Sequence, residues 1–228
     1  IIPYGIGGTT IANTGSNSFC VRCKNMDSDA DIIFVFGGTN DFSSDIPLGD
    51  WYTLDKNNIR TINIDNTTFR GALASMSEQL ITKYPDAQII YMTPIHRNKY
   101  DTQPNELEPN GLGLYIEDYV KSIKECCNIY SINCLDLYNN AGLRPMNSNN
   151  LGIYFSNDGI HPNDKGHIRL SKVILGYLNT IMPTRTDIPI ESISLNSSTL
   201  QLGINEKYAL IPTISPINTT NRALNYSS

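Results

Sequence analysis

The feature that most constrains the fold is a short apolar run that ends in two glycines. Residues Ile32 to Phe36 read Ile-Ile-Phe-Val-Phe and are followed by Gly37 and Gly38. A continuous apolar run, rich in β-branched and aromatic side chains and closed by glycine, is typical of a strand buried on both faces. We therefore predict a strand of a parallel sheet at this position.

An amphipathic helix and a second apolar strand follow this run. The helix is marked by apolar residues at helical spacing, namely Phe69, Leu73, Met76 and Leu80. The preceding Asn66-Thr67-Thr68 suits an N-cap, and Tyr84-Pro85 ends the pattern. Ala87 to Met92 then forms another apolar run. The segment predicts two parallel strands joined by a right-handed crossover.

The same unit recurs further along the chain. Two more amphipathic helices are marked by Ile116, Tyr119, Val120, Ile123 and Cys127, and by Leu170, Ile174, Tyr177, Leu178 and Ile181. Tyr130 to Leu137 reads as a strand between them, and Pro183 terminates the last helix. We predict an α/β domain over residues 1–183, built as a three-layer α/β/α sandwich around a mostly parallel sheet.

One loop of this domain and the segment after it differ from the rest. Arg97 to Gly113 is long and polar and contains two prolines, so we expect it to face the substrate. In residues 184–228 apolar and polar residues alternate between turn signals, which predicts an antiparallel β module. This segment is too short for a complete β-sandwich, so it predicts only part of one.

Charge and apolar content exclude several classes of protein. The chain has 17 basic and 22 acidic residues, a net charge of -5, and no basic cluster. Nucleic acid is therefore not an expected partner. The longest apolar run is far too short to span a bilayer, so no transmembrane segment is predicted, and no signal peptide is visible.

The five cysteines do not predict a metal centre. Cys20 and Cys23 form a C-x-x-C that suits a zinc half-site or a redox pair, but no second motif follows to complete a tetrahedral site. Cys126, Cys127 and Cys134 lie around a predicted helix end and strand, where thiols pack as small hydrophobic groups. We interpret these three cysteines as packing residues, and the role of Cys20 and Cys23 stays open.

Three short clusters carry side chains or glycines suited to chemistry. They are Gly5-Ile6-Gly7-Gly8-Thr9-Thr10, Gly37-Gly38-Thr39-Asn40-Asp41 and Asp158-Gly159-Ile160-His161-Pro162-Asn163. The first can present backbone N–H groups to an oxygen, and the second follows a strand end, where ligands of parallel sheets bind. In the third, Asp158 can hold Nδ1 of His161 and leave Nε2 as a base. Taken singly, each is better explained as an ordinary turn or a helix cap.

Together the clusters resemble the SGNH, or GDSL-type, hydrolases over residues 1–182. In that family a glycine, an asparagine of a G-x-N-D block and a D-x-x-H block meet in one site. The matching residues here are Gly8, Asn40, Asp158 and His161. The resemblance implies a flavodoxin-like SGNH fold and a serine esterase that uses no cofactor and no metal.

The family's nucleophile is the residue that this sequence lacks. It is the serine of a G-D-S block after the first strand, upstream of the glycine block, and no G-D-S occurs in the 228 residues. Ser16 and Ser18 lie downstream of the glycine block and are not assigned as nucleophiles. We therefore expect that the amino-terminal strand and its serine are missing, and that this chain is inactive as it stands.

The resemblance assigns a role to each matching residue. His161 would act as the base, Asp158 would orient it, and Gly8 and Asn40 would donate to the oxyanion. His96 and Thr39 are candidates for substrate contact, although a surface role is as compatible with His96. For His167 packing or solvent exposure is the expectation, and Asp41 is expected to support the turn of Asn40.

Residues 184–228 resemble the first part of a bacterial Ig-like module of surface and secreted proteins. The resemblance is carried by Ile193 to Glu206 and by Leu224-Asn-Tyr-Ser-Ser. It implies an extracellular or cell-surface protein, and with the polar loop it favours an ester substrate such as an acylated glycan. The alternatives are a glycan-binding protein without catalysis and a surface adhesion protein.

Overall fold

A computed structural model describes residues 2–182 and 189–216 of the chain. The described residues fall into two compact units, one that extends to Tyr177 and one that begins at Leu178. The helices are α1 (Phe19–Arg22), α2 (Thr39–Ser43), α3 (Phe69–Lys83), α4 (Ile116–Tyr130), α5 (Leu137–Asn140), α6 (Ser148–Tyr154) and α7 (Asp164–Ile181), and a 3-10 turn spans Cys23–Asn25. The strands are β1 (Ile32–Phe36), β2 (Tyr52–Leu54), β3 (Arg60–Ile62), β4 (Gln88–Met92), β5 (Asn133–Leu135), β6 (Ser192–Leu195) and β7 (Pro212–Ser215).

The first unit is organised by a parallel sheet with the strand order β1-β4-β5. β1 and β4 pair in parallel, with Ile33 opposite Ile89, and β4 pairs in parallel with β5. α3 crosses over between β1 and β4, and the Thr68 side chain caps its first turn by accepting from the N–H of Gly71. The predicted strand-helix-strand unit is confirmed, and so is an α/β domain with a parallel sheet.

One face of the sheet carries the apolar core. Alternate strand residues, including Ile33, Val35 and Tyr91, are buried in one cluster with side chains of α3 and α4. The helical periods noted in the sequence account for this packing, because Leu73, Met76, Leu80, Ile116, Tyr119 and Ile123 are each at most 1% exposed. The second helical layer of the predicted sandwich stays a prediction.

Two details of the predicted strands are wrong. Phe34 and Phe36 are 40% and 42% exposed, so β1 is buried on one face only, because no described residue covers those two side chains fully. The strand predicted from Tyr130 to Leu137 is only three residues long. The strand begins later than predicted because Tyr130 is the last residue of α4. It ends earlier because Asp136 caps α5 by accepting from the N–H of Asn139.

The second unit contains a short β-hairpin. β6 and β7 pair antiparallel, with Ile193 opposite Ile214, which confirms the antiparallel pattern for these residues. Pro183 and the Leu224-Asn-Tyr-Ser-Ser motif lie outside the described residues. In the part of the chain that the structure describes, none of the helices is long and apolar enough to cross a membrane.

Candidate active site

Asp158 and His161 form the hydrogen-bonded pair that their spacing predicts. His161 Nδ1 lies 2.7 Å from Asp158 Oδ2, and Asp158 Oδ1 accepts from the backbone N–H groups of Ile160 and His161 at 2.8 and 2.9 Å. Burial raises the pKa of Asp158, but these hydrogen bonds outweigh it and hold the pKa below its ordinary value. The carboxylate is therefore ionised at neutral pH and fixes the imidazole through Nδ1, which leaves Nε2 to exchange a proton.

The loop around this pair is shaped by its own backbone. The N–H of Ser156 donates to His161 O at 2.8 Å, and that of Gly159 donates to Ser156 O at 3.0 Å. Gly159 has φ of +66°, and a Cβ there would lie 2.7 Å from Cβ of Asn98, so the position requires glycine. Asn163 accepts from the N–H of Gly166 at 3.1 Å and caps α7, which begins at Asp164. The Asp158 carboxylate therefore does not cap this helix, and its hydrogen bonds go to Ile160 and His161.

Asn40 lies directly after the carboxyl end of β1. Gly38, with φ of +105°, turns the chain into α2, and a Cβ there would lie 3.3 Å from Pro94 Cγ. The Asn40 side chain donates through Nδ2 to the carbonyl oxygen of Thr9 at 2.9 Å. Gly8 precedes Thr9, has φ of +75° and is exposed. The structure therefore brings the predicted oxyanion donors Gly8 and Asn40 to neighbouring positions.

Asp41 holds the glycine-rich loop to α2. Its side chain is fully buried, and its two oxygens accept from the N–H groups of Ile11 and Ala12, each at 2.9 Å. Burial raises the pKa of Asp41 to about 6, although those two hydrogen bonds act in the opposite direction. Asp41 thus joins α2 to the backbone directly after the glycine-rich cluster. The sequence suggests only a local role for it in the Asn40 turn.

The segment His96 to Asn98 connects the two halves of the site. Arg97 donates through one guanidinium nitrogen to Thr39 O at 3.2 Å and to Ser43 Oγ at 2.7 Å. The backbone N–H of Asn98 donates to Gly159 O at 2.9 Å. Arg97 is 2% exposed, and burial lowers its pKa to about 10. The loop predicted to face the substrate thus begins with a buried cation, Arg97, that is bound to α2, and the next residue, Asn98, is bound to the Asp158 turn.

Thr39 and His96, the two candidates for substrate contact, both make internal hydrogen bonds. The Thr39 hydroxyl accepts from Arg97 at 3.0 Å. His96 Nδ1 lies 2.5 Å from Glu106 Oε2, and Arg144 Nε donates to the other oxygen of Glu106 at 3.1 Å. Sequence reasoning missed Arg97, Glu106 and Arg144, because they lie in irregular segments without a periodic or motif signal.

The remaining candidates lie apart from this chemistry. Ser18 is 2% exposed and donates to Gly15 O at 2.9 Å, so it serves a turn. His167 is exposed on α7. Cys20 and Cys23 are buried, and burial raises the pKa of Cys20 to about 11. Among the described residues no group of three metal-binding side chains occurs.

The chain is similar to known proteins in both sequence and fold. Residues 4–108 match the family model for GDSL-like lipase/acylhydrolase, a range that includes Gly8 and Asn40. A structure of a protein from Lactobacillus plantarum is 30% identical, with a TM-score of 0.67 over 78% of this chain and 80% of that chain. No curated protein matches the chain.

Two structures from Bacteroides, both assigned as GDSL-like lipases, share the fold. The one from Bacteroides ovatus is 27% identical, with a TM-score of 0.51 over 76% of this chain and 68% of that chain. The one from Bacteroides uniformis is 24% identical, with a TM-score of 0.51 over 76% of this chain and 67% of that chain.

Proposed function

We propose that the α/β unit is the main part of a serine esterase that works through an acyl-enzyme. The support from known proteins is the match of residues 4–108 to the GDSL-like lipase/acylhydrolase family and the similarity of fold to a GDSL-like lipase structure. The observation that carries the proposal is the Asp158–His161 pair, in which an ionised carboxylate holds Nδ1 and leaves Nε2 as the proton acceptor. Such a pair activates a serine hydroxyl in acyl transfer.

The reaction follows from the positions of these groups. His161 Nε2 takes the proton of a serine hydroxyl while the serine oxygen attacks the ester carbonyl carbon. The imidazolium, stabilised by Asp158, then gives that proton to the leaving alcohol oxygen as the ester bond breaks. A water molecule repeats both steps on the acyl-enzyme, which releases the carboxylic acid and restores the serine.

Asn40 and Gly8 would stabilise the oxyanion. The amide of Asn40 has two N–H groups, and one of them is fixed by Thr9 O at 2.9 Å. The second is then oriented for a developing negative charge, together with the backbone N–H of Gly8. Loss of one such donor typically lowers turnover about 100- to 1000-fold.

The nucleophile in this proposal lies on a strand outside these 228 residues. In the described part of the chain, β1 forms one edge of the three-stranded parallel sheet. An added strand would cover this edge and bring a serine to the carboxyl end of the sheet, near Asn40. The 228-residue chain alone is then unable to form an acyl-enzyme.

For the substrate we propose a small acyl ester on a carbohydrate, hydrolysed outside the cell or at its surface. The support is the polar loop from Arg97 to Gly113 and the antiparallel β6–β7 hairpin, which suits an Ig-like display module.

Covalent labelling with a fluorophosphonate tests the function. A longer chain that includes the upstream sequence should be labelled at a serine, and His161→Ala should reduce the labelling rate at least 100-fold. His167→Ala is the matched control and should label like the unaltered chain, because His167 is exposed on α7. A folded longer chain that takes no label would contradict the esterase and favour a glycan-binding protein.

A further inference from the structure

A second carboxylate-bound imidazole lies two residues before Asn98, whose N–H donates to Gly159 O, and the mechanism above does not use it. His96 Nδ1 lies 2.5 Å from Glu106 Oε2. The side chain of Glu106 is 2% exposed, and its other oxygen accepts from Arg144 Nε at 3.1 Å. A carboxylate that is buried and shared in this way is built into the fold and is not a chance surface contact.

The charges of this cluster determine which nitrogen of His96 holds the proton. Burial raises the pKa of Glu106, but its bonds to His96 and Arg144 outweigh burial and lower it, so the carboxylate is ionised and only accepts. Because this carboxylate only accepts, a neutral His96 ring donates to it through Nδ1 and carries the lone pair on Nε2.

The ring itself is held in one orientation. Its centroid lies 3.9 Å from that of the Tyr138 ring, with 32° between the planes. The His96 side chain is 21% exposed, and no hydrogen bond to Nε2 comes from any residue that the structure describes. Nε2 is thus a fixed acceptor that solvent or a ligand can reach, and it suits an O–H donor.

The chain around His96 connects it to both halves of the site. Arg97 hydrogen-bonds to Thr39, which precedes the oxyanion donor Asn40. Asn98 hydrogen-bonds to Gly159, which follows Asp158. His96 follows β4, the central strand of the three-stranded parallel sheet. His96 and Asn40 therefore both follow carboxyl ends of neighbouring strands, which is the edge of the sheet where the proposal places the ester.

We propose that His96 is a substrate-binding residue whose Nε2 accepts a hydrogen bond from a free hydroxyl on the alcohol part of the ester. The enzyme would thus select esters of polyhydroxy alcohols, such as partly acylated sugars, over esters without hydroxyls. This inference rests on the proposed esterase function, because it takes the ester to lie at His161. Glu106 and Tyr138 act as positioning residues for the ring.

Two glycerol esters test the proposal on the longer chain that includes the upstream sequence. Glycerol monoacetate carries two free hydroxyls, and glycerol triacetate carries none. His96→Phe keeps a ring against Tyr138 and removes both nitrogens. It should lower kcat/KM for the monoacetate about tenfold, mainly through KM, because one hydrogen bond is lost, and should change that for the triacetate less than about twofold.

Controls separate this inference from the esterase proposal. His167→Phe should alter neither rate. If the longer chain hydrolyses neither ester, the esterase proposal itself fails, and the inference falls with it. If it hydrolyses both and His96→Phe lowers the two values equally or not at all, only the hydroxyl contact is overturned. Should His96→Phe fail to fold, Glu106→Gln, which releases Nδ1 from a full charge, should show the same selectivity loss in weaker form.

Discussion

At the scale of single residues, the ionisation of Asp41 is coupled to the stability of the fold. Burial raises its pKa to about 6 in the folded protein, whereas an aspartate in an unfolded chain has a pKa of about 3.9. Between these two pH values the folded state holds a proton that the unfolded state has lost. The free energy of unfolding should therefore fall as pH rises from about 4 to 6, by about 3 kcal/mol in all.

Substitution of Asp41 by asparagine should remove this dependence on pH. An amide stays neutral, although its single oxygen can replace only one of the two acceptors that Ile11 and Ala12 now use. Urea unfolding between pH 4 and 7 should show that the free energy of unfolding of Asp41→Asn increases relative to that of the unaltered chain as pH rises. The exposed Asp50→Asn is the control, and a constant difference for Asp41→Asn across this range would show that the carboxylate does not titrate there.

At the scale of the helix, Gly71 is required by the way α3 begins. A Cβ at Gly71 would lie 2.1 Å from the carbonyl oxygen of Asp65, which is backbone and has little freedom to move. Alanine favours a helix over glycine by about 1 kcal/mol, but this clash should outweigh that gain. We expect Gly71→Ala to lower the free energy of unfolding by about 2 kcal/mol or more, measured by urea denaturation.

Gly176 on α7 provides the matched control for this prediction. It is also a helical glycine, but it is exposed, and a Cβ there would meet no atom within 4 Å among the described residues. Gly176→Ala should therefore raise the free energy of unfolding by about 0.5 to 1 kcal/mol. If both alanine variants stabilised the protein, the close contact between Gly71 and Asp65 would be disproved.

At the scale of the whole molecule, the two units should differ in stability. β4 is the middle strand of the parallel sheet, and Ile89, Ile90 and Tyr91 on it are buried. The β6–β7 hairpin has only two strands, and Ile193 and Leu195 on it are 51% and 48% exposed. An isolated two-stranded hairpin is marginally stable in water, whereas buried sheet hydrogen bonds open only with the core.

Hydrogen exchange at neutral pH measures this difference directly. Amides of β4 should exchange at least about 100 times more slowly than those of β6 and β7. The exposed β2–β3 ribbon of the first unit should exchange as fast as the hairpin, which controls for strand length. Equal protection of β4 and the hairpin would mean that the hairpin belongs to a fuller packed β module.

Local patterns in the sequence determined much of this protein. The apolar periods predicted β1, α3, β4 and α4, because burial of one face demands that spacing. The Asp158–His161 pair was predictable for a related reason, since residues three apart on a turn meet without help from the rest of the chain. The similarity to the GDSL-like lipase/acylhydrolase family, found over residues 4–108, was likewise predictable from the order of such short motifs.

The tertiary structure alone decided which distant segments meet. Asp41 accepts a hydrogen bond from Ile11, which is 30 residues away in the sequence. His96 pairs with Glu106 in an irregular loop whose residues have no helical or strand spacing. The exposure of Phe34 and Phe36 likewise depends on what covers the sheet, which composition does not encode. Hydrogen bonds and burial between remote residues depend on the packing of the whole chain, so local residue spacing does not predict them.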